Sequence, residues 1–173
     1  IGKWHLGHRP KFLPQSQGFD YYYGIPYSND MDALSNNWDI YLKKSRDPNY
    51  YSETKFFNVP LIENTKVIER PADQTNIIKR YTEKALEFIE KNKNSPFFLY
   101  LAHSMPHMPI FASEEFRGRS KASLYTDVIE EIDWSVGEII NVLKKNNLDQ
   151  NTIVVFTSDN GPWLLFKTHG GSA

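Results

Sequence analysis

Three short stretches carry residue types suited to chemistry. Near the start, Lys3 and His5 flank Trp4 within "GKWHLG". In an extended segment the two polar side chains point to one face and Trp4 to the other. Gly2 and Gly7 bracket them and permit a tight backbone path presenting an ammonium and an imidazole together. Further on, His107 stands between two prolines in "HSMPHMP", which hold its backbone extended and stiff. In "SDNGP", Asp159 and Asn160 set a carboxylate beside a carboxamide. These are hard oxygen donors, suited to Ca²⁺ or Mg²⁺ rather than to a soft metal. Each stretch also has a plainer explanation: a solvated strand edge over a buried Trp4, a surface histidine on a stiff loop, an Asp-Asn-Gly turn. Together, the cation, the imidazoles and the oxygen ligands suit an anionic ester held against a divalent cation. Phosphate and sulfate esters are the obvious classes.

The elements that must position these groups read as α/β. Ile77, Tyr81, Ala85 and Phe88/Ile89 recur at helical spacing, with Asp73 or Thr75 as the cap and Pro96 beyond the end. "FFLYLA" is a continuous apolar run of the kind a strand covered on both faces shows. A second helix is expected over roughly Ser123 to Lys145, with Leu124, Val128, Ile132, Val136, Ile139 and Leu143 inward. Its acidic residues come early and Lys144 and Lys145 late, which suits the helix dipole. "TIVVFTSDNGP" reads as another buried strand ending in a polar turn. Helix, strand, helix, strand is the rhythm of a parallel sheet. Ligands of such sheets bind beyond the carboxyl ends of the strands, where His107 and the Asp159–Asn160 pair fall. "VPLIENTKVIERP" reads as a hairpin turning at Glu63-Asn64-Thr65. The first third is irregular and aromatic, as in "GFDYYYGIPYSNDM". It either builds a binding surface or lid, or packs its rings onto the neighbouring body.

Composition narrows the function further. The formal net charge of −1 argues against a general nucleic-acid binder. No apolar stretch approaches membrane-spanning length; the longest, "PFFLYLA", stops before His103. With no cysteine there is no disulfide framework, no thiolate metal site and no cysteine nucleophile, and either redox compartment suits the chain. No internal repeat or low-complexity tract interrupts it. At 173 residues it could form one domain or a large part of a bigger one. Site-like residues at the very beginning raise the expectation that it is an internal segment of a longer protein.

The motifs resemble the formylglycine-dependent sulfatases, and among them arylsulfatase-type members. The likeness runs through "GKWHLG", "GFDYYYGIPYSNDM", "FFLYLAHSMPHMP", "SLYTDVIEEIDWSVGEIINVLKKNNLDQNTIVVFTSDNGPW" and "HGGSA", nearly the whole chain in order. It implies the alkaline-phosphatase-like α/β sandwich with a mainly parallel or mixed central sheet, incomplete here, residues 1–173 being an internal part of one catalytic domain. It also implies roles for individual residues. Lys3 would hold the sulfate and the aldehyde-derived nucleophile, and His5 would hydrogen-bond the formylglycine hydrate and help expel sulfate. Ser28 would support this group, and His107, rather than His103, would contact the sulfate and the leaving-group oxygen. Asp159 and Asn160 would be two oxygen ligands of a metal, usually Ca²⁺ and otherwise Mg²⁺. Several family features are absent: the Cys-x-Pro-Ser-Arg nucleophile motif, the paired aspartates that complete the metal site, and a lysine that follows "GGSA". Lys167 precedes that segment and is not its counterpart. Were the metal site complete within the chain, Asp30 and Asp32 would be the next ligands to consider. The implied substrate is a sulfated small molecule or glycan, in a periplasmic, secreted or lysosomal setting. The rival readings are a phosphoester or phosphonate hydrolase on the same fold, and a polypeptide that is non-catalytic as it stands.

Overall fold

A computed structural model of the protein describes residues 1–34, 36–47 and 50–164. "HGGSA" and Lys167 therefore lie outside the described residues. Strand β1 is Tyr23–Gly24, helix α1 Asn37–Lys44, strands β2 and β3 Leu61–Glu63 and Lys66–Glu69, helices α2 and α3 Ile77–Asn92 and Leu124–Lys145.

The expected hairpin forms, with Asn64 at its turn in the left-handed region (φ 56°), which asparagine tolerates. Asn64 also ties the turn inward: its N–H donates to Tyr22 O at 2.7 Å, and its side-chain oxygen accepts from Gln15 Nε2 at 2.8 Å. β1 pairs antiparallel with β2, Tyr23 opposite Glu63 and Gly24 opposite Ile62, giving a three-stranded sheet in the order β1-β2-β3.

Both long helices form where their periodicity predicts. A 3-10 turn, Gln74–Asn76, leads into α2, and the Asp73 carboxylate accepts from Thr75 N–H at 3.0 Å. Ser123 caps α3 by accepting from Thr126 N–H at 3.3 Å. Ile77, Ile78 and Tyr81 of α2 join Leu124, Val128 and Ile132 of α3 in the main core, and Leu143 is buried too. Full burial of each such side chain stabilises by about 1.5–3 kcal/mol. Val136 and Ile139, also expected inward, are only partly covered. In the first third the rings pack on this body: Tyr23, Tyr41 and Phe57 are buried in the same core. That third also contains α1, whose two turns are too short to show a period.

The two apolar runs depart from expectation. Among the described residues neither forms a strand. Parallel pairing among the described residues is confined to one bridge, Gly2 with Ala102. Phe98 and Tyr100 are exposed, and Ile153, Val155 and Phe156 are 92%, 78% and 74% exposed. A strand buried on both faces needs partners on both edges and a layer on each side. Among the described residues, the backbone of residues 97–102 pairs only with the segment around Gly2, and residues 153–157 pair with no strand. The sequence pattern thus reports partners that these residues do not supply to one another.

Candidate functional site

Lys3 and His5 are fixed by backbone threading. Residues 1–5 run between two other segments. On one side Gly2 N–H donates to Tyr23 O (2.8 Å), Trp4 N–H to Ile25 O (3.0 Å) and His5 N–H to Pro26 O (3.1 Å). On the other, Lys3 N–H donates to Ala102 O and Ala102 N–H to Ile1 O, both at 2.8 Å. The glycines follow from this closeness. A Cβ on Gly2 would lie 1.9 Å from Ala102 O, and one on Gly24 1.8 Å from Gly2 O. Trp4 turns away to pack with Leu13, Tyr22 and Ile62, and its indole N–H donates to Phe12 O at 2.7 Å. His5 takes a left-handed conformation (φ 56°) that bends the chain and leaves its side chain exposed.

His107 reaches the same place from another direction. Its Nδ1 donates to Met108 O at 2.7 Å, so in the neutral ring Nε2 carries the free lone pair. Ser28 Oγ lies 3.3 Å from both ring nitrogens. The adjacent Asn29, 0% exposed, ties down the loop itself: its Nδ2 donates to His107 O at 3.2 Å and to Pro109 O at 2.8 Å. Gln74 Nε2 in turn donates to Asn29 O at 3.1 Å. The far end of this turn is clamped by Asp32 (φ 58°), whose carboxylate accepts from the Tyr27 hydroxyl and from Arg70 Nη2 at 2.9 Å.

The electrostatics link the segments. Burial pushes the His107 pKa below its ordinary value, the charges of Lys3 and His5 push the same way, and Asp30 opposes them. At neutral pH the resting imidazole is uncharged. An anion arriving beside it would reverse that bias. His103, by contrast, belongs to the packing between helices. Its Nε2 is 3.2 Å from Ser135 Oγ, which lies 2.6 Å from Thr82 Oγ1. Its Nδ1 is shielded from solvent without a partner, and burial takes its pKa down to about 4.

Asp159 and Asn160 lie on an exposed turn where Ser158 Oγ donates to Asn160 O at 2.7 Å. Just beyond, the Trp163 ring packs against His107, centroids 5.6 Å apart, so this turn's chain returns to the same site. As a cation site the donor set falls short. A hard cation such as Ca²⁺ takes about 6–8 oxygens. No three His, Cys, Asp or Glu side chains cluster for a metal among the described residues. Asp32 is committed to Tyr27 and Arg70. The structure therefore gathers Lys3, His5, Ser28 and His107 and brings the segment of Asp159 and Asn160 alongside through Trp163, with no complete metal site among the described residues. Asn29, Trp163 and the Asp32 clamp were not singled out for these roles from sequence. Only the adjacency of Asn29 to Ser28 could have drawn attention to it.

Comparison with known proteins gives a consistent result. The family model Sulfatase matches residues 1–171. The whole chain is 36% identical to N-acetylgalactosamine-6-sulfatase of Mus musculus and 37% identical to arylsulfatase G of the same species, covering 32% and 37% of those proteins. It thus spans about a third of the length of these curated relatives. Among solved structures it resembles the PsFucS1 sulfatase from Pseudoalteromonas sp., with TM-score 0.73 and 25% identity over 99% of this chain and 37% of that one. It also resembles Ps i-CgsB in complex with k-i-k-neocarrahexaose, with TM-score 0.59 and 29% identity over 85% of this chain and 33% of that one. The shared architecture is the alkaline-phosphatase-like α/β fold, of which this chain builds a part. With the match running from the Lys3–His5 segment through the turn at Asp159, the chain belongs to the sulfatase family.

Proposed function

We propose that the protein carrying this chain hydrolyses sulfate esters, and that residues 1–173 form one side of a single catalytic domain. One observation carries the reading. Two segments distant in sequence bring together an ammonium and two imidazoles, and Lys3 enters no ion pair among the described residues. Such a cluster is complementary to an anion. Lys3 and His107 face the sulfuryl oxygens. Once the ester anion is bound, its charge raises the His107 pKa, and Nε2 takes up a proton that it then donates to the departing oxygen. Ser28 supports that ring, Asn29 holds the backbone that carries it, and His5 moves the proton of the attacking group.

Family membership implies a metal and a formylglycine in general terms, which would supply Lewis-acid charge neutralisation and the covalent nucleophile. No cysteine occurs among these 173 residues, and the formylglycine is expected to be supplied from elsewhere in the protein. Ca²⁺ is the ion expected, with Asp159 and Asn160 contributing part of its shell. The substrate class we favour is a sulfated glycan, with small aryl sulfates as surrogates. The name N-acetylgalactosamine-6-sulfatase and the neocarrahexaose complex of a solved neighbour support it.

The test is an assay of the full-length gene product against 4-nitrophenyl sulfate, a sulfated oligosaccharide and 4-nitrophenyl phosphate. Sulfate release that falls in Lys3→Ala and His107→Ala is expected. Turnover of the phosphate alone would overturn the reading in favour of a phosphoesterase.

A further inference from the structure

The motif that placed Lys3 and His5 continues into "GHRPK", which the reaction does not use. Residues 1–19 contain Lys3, Arg9 and Lys11 and no carboxylate; the first acidic residue is Asp20. In a chain of net charge −1 this is a segregated positive strip. His8, Arg9 and Lys11 are all exposed. Seven other lysines and arginines take part in the eight ion pairs among the described residues, but none of those pairs uses Arg9 or Lys11. The Lys11 ammonium lies over the face of Phe12, at 4.8 Å.

The strip is also held in shape. A 3-10 turn runs over Pro10–Phe12, with Phe12 N–H donating to Arg9 O at 2.8 Å. Trp4 Nε1 donates to Phe12 O at 2.7 Å, Ser16 Oγ to Pro10 O at 3.0 Å and Gln17 Nε2 to Lys11 O at 3.0 Å. Gly7 (φ 120°) lets the loop close: a Cβ there would lie 2.6 Å from the Cβ of Phe12. The strip adjoins the sulfate-facing cluster at one end. The His8 ring packs edge-on against Tyr27, centroids 5.7 Å apart, and Tyr27 precedes Ser28.

The geometry points to His8, Arg9 and Lys11 as a second anion subsite, which selects sulfated glycans carrying further sulfate or carboxylate groups beside the ester being cleaved. The inference rests on the sulfatase reading and deepens it. A rigid loop of unpaired cations gains most from a ligand that also bears several charges at fixed spacing, because little ordering entropy is lost on binding. A singly charged aryl sulfate fills the first site and leaves the strip empty.

The full-length protein and its Arg9→Gln/Lys11→Gln double variant test this with two probes, a multiply sulfated carrageenan hexasaccharide and 4-nitrophenyl sulfate. The control removes equal charge elsewhere, as Lys43→Gln/Lys44→Gln at the end of α1. We expect the strip variant to raise KM and Kd for the hexasaccharide about five- to tenfold, as two exposed ion pairs are worth. Its kinetics on 4-nitrophenyl sulfate should stay unchanged. Binding is read separately by calorimetry. If hexasaccharide binding falls in the strip variant while no sulfate is ever released, the subsite stands and the sulfatase reading fails. Unchanged hexasaccharide binding, equal loss on both probes, or an equal loss in the control variant would each overturn the subsite.

Discussion

Asn29→Ala is the perturbation whose consequence the structure specifies most closely. The side chain is fully buried, and its Nδ2 donates to the carbonyls of His107 and Pro109 at 3.2 and 2.8 Å. Truncation leaves both acceptors unpartnered. An orphaned buried acceptor costs about 1–3 kcal/mol. Pro109 is buried and should approach the middle of that range, whereas His107 is only half-buried and should lose less. The Asn29 Oδ1 is already without a partner, so its removal returns part of the loss. The net expectation is a destabilisation of about 2–3 kcal/mol. Urea unfolding of the purified chain measures it. With a slope of about 2 kcal/mol per molar, the midpoint should fall by about 1–1.5 M at unchanged slope. Asn29→Asp should cost more, because it keeps the shape but presents a buried carboxylate to two carbonyl oxygens. A loss below about 1 kcal/mol in the alanine variant would refute the reasoning, since the carbonyls would then have other partners.

Gly24→Ala should abolish soluble folding, because its Cβ would lie 1.8 Å from a backbone oxygen that cannot swing aside; soluble yield and circular dichroism would show it. In the full-length enzyme, His107→Ala should slow poor leaving groups far more than activated aryl sulfates; equal losses across a leaving-group series would confine His107 to binding sulfate. His103 titrates near 4 when folded and near its ordinary 6.5 when unfolded, so the unfolded chain binds the extra proton between those values. Its contribution is complete above pH 6.5 and is lost as pH falls towards 4, about 3 kcal/mol in all, and a pH series of unfolding curves on His103→Gln should be flatter by that amount. The 173-residue chain should bind Ca²⁺ only weakly, at about 0.1–1 mM or worse; submicromolar binding in calorimetry that vanishes in Asp159→Ala would mean a complete site exists within it.

Local signals were legible in the sequence wherever local physics decides the outcome. The helical spacing from Ile77, the cap at Asp73 or Thr75 and the start of the second helix near Ser123 describe residues near one another in the chain, and the structure follows them, with Asp73 as the residue that accepts from Thr75 N–H. Helix α1 escaped notice because eight residues rich in aromatics show no clear period. The two apolar runs misled about burial for the opposite reason. Their pattern encodes neighbours at long range, and Phe98 and Val155 stay exposed where those neighbours are not among the described residues. The site divides the same way. The types of Lys3, His5 and His107 were readable, whereas their proximity depends on Gly2 and Gly24 letting three backbones meet. The role of Asn29 depends on carbonyls 78 and 80 positions away, which no spacing rule reaches.

How the site stays positive is the remaining question, since the turn that supports His107 carries two carboxylates of its own. Asp30 already acts on His107, raising its pKa against the effect of Lys3 and His5. A second free carboxylate two residues on would shift the balance further towards neutrality and compete with an incoming anion. Asp32 is withdrawn from that role. Its left-handed backbone directs it to Tyr27 and Arg70, and Arg70 is itself anchored by Nε to Asn58 O at 3.0 Å. The ion pair is exposed and adds little to stability by itself. Its larger effect is on the local field: it pairs one negative charge with Arg70 while stiffening the turn that carries Ser28 and Asn29. Among the described residues, Lys3 and the two imidazoles are thereby left without a second counter-ion, and an external anion is the partner that such a cluster favours.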